Sequence, residues 1–177
     1  MPKISSAFKI YAEQWLRSLK QIEDSKLAIG TVRADATLIG DQASEVKHGT
    51  HLLISDEPSV VGGSDMGPSP LDYFMAAIGF CENVTFARYA TLNGLDFDSL
   101  QTSVRGRWDR RGQADVSDIE PAFEEFVVET RVTSTDSLEK IRKVAATTHK
   151  RCPMHATIEK VGKVQNKLFV NGTEVPV

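Results

Sequence analysis

The chain has 177 residues, enough for one domain with a sizeable core. With 41% hydrophobic residues, 25% charged residues and a formal net charge of -3, it has the composition of an ordinary globular protein and is neither a strongly basic nucleic-acid binder nor a polybasic membrane-surface protein. No apolar run approaches the roughly 18 residues that a membrane span requires, and the opening "MPKISSAFKIYAEQWLRSLK" lacks the apolar block and small-residue cleavage site of a secretory signal, so a cytoplasmic location is expected.

In chain order, residues 6 to 23 read as an amphipathic helix, with Phe8, Tyr11, Trp15, Leu19 and Ile22 at spacings of three and four and Ser5 or Ser6 as the cap. Residues 1 to 27 form an N-terminal helical extension, and residues 28 to 177 a single further domain. Residues 28 to 39 read as a strand, and residues 44 to 55 as one or two more. The run "DEPSVVGGSDMGPSP" is a loop on composition. A long helix is expected from Pro70 to Gly94, with Ser69 as N-cap, Asp72 as the capping-box carboxylate and Gly94 as the stop. Its first half, Leu71 to Cys81, is apolar almost all round and is expected to be buried in a core or an interface.

Residues 95 to 112 and 122 to 134 read as strands, joined by the polar connection "RRGQADVSDIEP". Residues 136 to 148 form an amphipathic helix with Leu138, Ile141 and Val144 inward, a short helix begins near Cys152, and "KLFVNGTEVPV" closes as a hairpin on an Asn-Gly turn. The alternation of strand and helix runs indicates an α+β fold.

Chemistry concentrates at the two cysteines, which in a reducing compartment are reduced, catalytic or redox-active rather than a structural staple. Cys81 shares a helical stripe with Phe74, Ile78 and Thr85, which fits a small core residue as well as a reactive one. Cys152 precedes Pro153 and so falls at a helix N-cap, beside Lys150 and Arg151. There the dipole and the basic neighbours favour a thiolate; the plainer reading is a capping thiol on a solvated basic face. His149 and His155 flank it as H-x-x-C-x-x-H, but Pro153 interrupts the helical geometry and nothing local completes a tetrahedral set. They read as local charge, with His155 able to face solvent. The Gly-rich loop lacks phosphate-loop and dinucleotide spacing, and there is no G-x-S-x-G. No metal or cofactor is expected.

Two motifs carry a resemblance. "GGSDMGPSPLDYFMAAIGFC", a Gly-Pro-Ser-Pro entry into a helix with a cysteine eleven residues after the proline, and "RCPMHATI", a later Cys-Pro at a helix start, resemble the OsmC/Ohr family of osmotically induced and organic hydroperoxide resistance proteins. The "DEP" of residues 56 to 58 adds to the likeness, which spans roughly residues 28 to 177. The resemblance implies an OsmC-like fold, with strands wrapping a long central buried helix in an intertwined homodimer. It implies a peroxiredoxin-like thiol peroxidase that reduces organic hydroperoxides to alcohols, with Cys81 as the attacking thiol and Cys152 as the resolving one. A Cys81 sulfenic acid, a Cys81–Cys152 disulfide and an external dithiol reductant would complete the cycle, with no nucleic acid and no membrane as partner. The chain departs from strongly active members at Leu71, where they carry an activating Glu, and no activating Arg is evident near the first strands. Asp72 lies half a turn out of phase with Cys81, and Glu82 would raise the Cys81 pKa if close. The likeness is therefore to the broad OsmC-like branch. The alternative function is a small apolar-ligand binding or redox-sensing protein.

Overall fold

The computed structural model describes residues 4–116 and 118–176. Ser117, within the expected polar connection, and Val177, at the end of the closing hairpin, lie outside them. The chain divides into two compact units, one of Leu19–Ala76 and one of the segment through Ser18 with everything from Ala77 onward.

In the smaller unit, three antiparallel strands pair in the order β1 (Ala36–Leu38), β2 (Ser44–His48), β3 (His51–Ser55). The long strand expected over residues 28 to 39 is mostly absent. Ser25–Ala28 is a short 3-10 turn capped by Asp24, and only three residues join the sheet. The loop after β3 is organised by Asp56, which is buried. Its carboxylate accepts backbone N–H bonds from Glu57 at 2.8 Å, Ser64 at 2.9 Å and Met66 at 3.3 Å. Helix α2 (Pro70–Leu92) begins in this unit with the expected capping box: the Asp72 N–H donates to Ser69 Oγ at 3.2 Å, and the Ser69 N–H donates to Asp72 Oδ2 at 3.1 Å. The Tyr73 hydroxyl donates to the Ile54 carbonyl at 2.8 Å and ties the first helical turn to β3.

The larger unit holds a four-stranded sheet in the order β4 (Ser99–Arg107), β5 (Glu125–Thr133), β6 (Lys163–Val170), β7 (Thr173–Val175). Strand β5 is central. Its buried residues Phe126, Val128, Thr130 and Val132 recur every second position, the period of a pleated strand with one face on the core. It runs antiparallel to β4 and parallel to β6. The parallel pair needs a crossover, supplied by α4 (Leu138–Arg151) and α5 (Pro153–Ile158). A one-turn helix, α3 (Arg110–Gln113), follows β4. Asn171 and Gly172 take φ of 49° and 84°, the two positive values that an Asn-Gly hairpin turn requires.

Helix α4 starts at its Ser137 cap and buries Ile141, Val144, Ala145, Thr148 and His149, one face at spacings of three and four. Against it and the sheet pack Phe86, Ala90, Leu95, Val132 and Leu168. On α2 the buried residues are Ile78, Gly79, Glu82, Thr85, Phe86 and Ala90. The first half is only partly buried within the chain, short of one of its two expected settings: Ile78 and Gly79 are buried, while Leu71 is 38% and Phe80 67% exposed. Helix α1 (Ser6–Lys20) packs on the same unit through Ala12, which has no exposed surface, and through Trp15, whose ring lies 4.1 Å below the Arg88 guanidinium.

Candidate active site

Both cysteines lie in the larger unit. Helix α2 approaches β4 closely at Gly79, where an added Cβ would stand 3.6 Å from the Thr102 carbonyl oxygen. The Thr102 hydroxyl donates to Asn83 Oδ1 at 2.8 Å, which fixes the rotation of the helix on the sheet. With that rotation Glu82 faces inward and Cys81 sits at the edge of the buried face, half-buried. The stripe that turns into the core thus runs through Glu82, one residue beyond the stripe expected from Phe74, Ile78, Cys81 and Thr85.

Cys152 joins two helices. Its N–H donates to the Thr148 carbonyl at 2.8 Å and closes α4, and its own carbonyl accepts from the Ala156 N–H at 2.9 Å and opens α5. Pro153 takes the first helical position, as expected, since its missing N–H costs nothing there. The thiol, however, is fully buried. Burial pushes its pKa up to about 12, opposed by the His155 backbone N–H; contact with the Cys81 side chain and the charges of Glu82 and Cys81 push it further up. The activated thiolate expected from the helix cap and from Lys150 and Arg151 is therefore corrected. A six-residue helix has a weak dipole, and loss of hydration outweighs it. The same contact brings the two thiols together, and both are free.

His149 and His155 are not surface charge either. Their rings stack with centroids 4.8 Å apart and 12° between planes, and His155 has no exposed surface. Glu82, 1% exposed, lies beneath them. Its Oε1 is 2.9 Å from His155 Nδ1, and its Oε2 is 4.0 Å from His149 Nε2. On the other side of the same ring, His155 Nε2 is 3.4 Å from Oε1 of Glu159, a carboxylate whose side chain is 49% exposed. These contacts have ion-pair distance without hydrogen-bond alignment, so both Glu82 oxygens and both His155 nitrogens are buried and unpaired. Burial holds the His149 pKa below the usual imidazole range, opposed by Glu82 and Glu159 and reinforced by His155. Among the described residues no set of three or more His, Cys, Asp or Glu converges as metal ligands do. No helix among them is long and apolar enough to cross a membrane.

Sequence reasoning weighed Glu82 only as a neighbour of Cys81 and left His155 facing solvent. The available signal was a carboxylate within an apolar helical run, and a histidine three residues past a helix-opening proline.

The α+β scaffold brings a half-buried and a buried thiol together from two helices. The chain belongs to the OsmC-like protein family, whose profile matches residues 62–165, more than half of its length. A comparison with curated protein sequences returned no match. The fold is shared with an OsmC-like protein from Mycoplasma pneumoniae, at 19% identity and TM-score 0.71, covering 80% of this chain and 97% of that one. It is shared also with an organic hydroperoxide resistance protein OsmC from Legionella pneumophila, at 15% identity and TM-score 0.61, covering 80% and 100%. A third, an organic hydroperoxide resistance protein from Elizabethkingia anophelis, aligns at 16% identity and TM-score 0.63 over 81% and 98%.

Proposed function

We propose that this protein is a cytoplasmic, homodimeric thiol peroxidase that reduces organic hydroperoxides. The observation that carries the reading is the meeting of Cys81 and Cys152, with the first half-buried and the second out of solvent. The Cys81 thiolate attacks the distal peroxide oxygen, the O–O bond breaks, and the alkoxide leaves as an alcohol after taking a proton. The sulfenic acid left on Cys81 condenses with the Cys152 thiol, forming an S–S bond and releasing water. An external dithiol then attacks the disulfide and restores both thiols. Phe80, next to Cys81, and Val84 are exposed apolar residues of α2, which suits an organic peroxide and supports association of two copies through this helix.

Purified protein mixed with cumene hydroperoxide and a dithiol is expected to consume peroxide, and Cys81→Ser to abolish consumption. Cys152→Ser should form a trappable sulfenic acid without closing a disulfide. Undiminished turnover in Cys81→Ser would refute the assignment.

One observation favours the second reading, an apolar-ligand binder. A groove of about 420 Å³ in the smaller unit is lined by Ala34, Ala36, Val46, Leu53, Pro70 and Tyr73 and contains neither cysteine. Under that reading an environment-sensitive fluorescent fatty acid binds Cys81→Ser as tightly as wild type, and peroxide is not turned over.

A further inference from the structure

Closing a Cys81–Cys152 disulfide requires Cys152 to lose a proton. That thiol has no exposed surface, so water cannot take the proton at the sulfur. The Cys152 thiol feels the charge of Glu82 and meets the Cys81 side chain, both on α2, and the His155 backbone on α5; Glu82 in turn lies against His155 and His149, and His155 against Glu159. Glu82 is 1% exposed, and neither of its oxygens has a hydrogen-bond partner. A buried carboxylate with open lone pairs is costly to keep, so its retention calls for a role that packing does not supply.

The arrangement around His155 supplies the role. Its two ring nitrogens face two carboxylates, Glu82 inside at 2.9 Å and the half-exposed Glu159 outside at 3.4 Å. An imidazole can take a proton at one nitrogen and release it from the other. We propose that Glu82, His155 and Glu159 form a proton relay that carries the Cys152 proton from the buried site to solvent as the disulfide closes; where the leaving group is the hydroxide of a Cys81 sulfenic acid, it takes up a proton from solvent at the half-buried Cys81 and departs as water. The inference rests on the proposed pairing of Cys81 with Cys152, but it does not depend on peroxide being the oxidant. His149, held below the usual imidazole range by burial, stacks on His155 as a neutral ring that restricts its orientation.

The relay is testable with the aromatic disulfide DTNB. The Cys81 thiolate attacks one DTNB sulfur, the S–S bond breaks, and one thionitrobenzoate leaves. Cys152 sulfur then attacks the Cys81 sulfur of the mixed disulfide, a second thionitrobenzoate leaves with the electron pair, and the Cys152 proton passes to Glu82. The rate of second release reads closure alone. Glu82→Gln and His155→Gln are expected to slow it at least ~10-fold at neutral pH. Glu159→Gln, a surface change that leaves the core intact, should slow it about threefold, as a relay with a bypass at its outer end does. In all three the rate should rise in proportion to hydroxide, where wild type is flatter, and in Glu159→Gln first release should be unchanged. Wild-type closure rates in Glu82→Gln and Glu159→Gln would overturn the relay, as would slower closure with an unaltered pH profile, the mark of a merely structural effect. If Glu82→Gln does not fold, Glu159→Gln decides alone. A second release that persists in Cys152→Ser would instead overturn the pairing itself, and the relay with it.

Discussion

Glu82 Oε1 lies 2.9 Å from His155 Nδ1, joining the long helix to the short one across an interior that excludes water from both side chains. Removing one member of such a pair leaves the buried polar atoms of the other facing a cavity. Glu82→Ala and His155→Ala should each lower the unfolding free energy by about 3 kcal/mol. Replacing both by apolar residues of similar volume, Glu82→Met with His155→Phe, should be closer to wild type than either single change. Urea denaturation of the four proteins measures this; additive losses in the double variant would contradict it.

Stability should fall toward acid through His149. Its folded pKa lies below 6.5, so on acidification the unfolded chain takes up a proton while the native ring does not. The contribution is fully present above pH 6.5 and is lost as the pH falls from there through the folded pKa. His149→Gln should flatten the acid side of a plot of urea midpoint against pH.

The alkaline side belongs to Cys152. Its pKa rises from 9.0 to about 12 on folding, so above pH 9 the unfolded chain loses a proton that the native thiol keeps. The stabilisation is complete below pH 9 and disappears as the pH rises toward 12. The same urea midpoints followed from pH 8 to pH 10 should decline less in Cys152→Ala than in wild type, once the lost packing is referenced at pH 8.

Alkylation should discriminate between the two thiols. A pKa of about 12 leaves Cys152 with a thiolate fraction near pH 8 roughly a thousandfold below that of an unperturbed cysteine, before its burial is counted. Iodoacetamide in limiting time should modify Cys81 first, as read by peptide mass spectrometry. Preferential labelling of Cys152 in the native protein would contradict the burial described.

The Arg88 guanidinium over the Trp15 ring holds α1 against α2. Arg88→Ala should cost about 1 kcal/mol and move the Trp15 fluorescence toward that of an exposed indole. A Trp108→Phe background isolates the signal.

Much of the fold was legible in the sequence. Ser69, Pro70 and Asp72 announce the start of α2, and Asn171-Gly172 the last hairpin, because caps and tight turns are settled by contacts within a few residues. The strand expected over residues 28 to 39 shrank to Ala36–Leu38, since a β pattern becomes a strand only where a partner's backbone lies beside it. The parallel pairing of β5 with β6 depends on how the α4–α5 crossover lies, and no local pattern encodes it.

At the site, the two cysteines and their neighbours were identifiable as residue types, and the motifs around them pointed to a family. What the sequence by itself determined is the set of local decisions: the caps, the turns, the helix that ends at Cys152 and the one that begins at Pro153. Which thiol is buried, and that Glu82 and His155 meet away from water, only the tertiary structure decided. The physical reason is that a side chain's pKa depends on the water and charges around it in three dimensions. A helix cap contributes little to that environment once packing has removed the solvent.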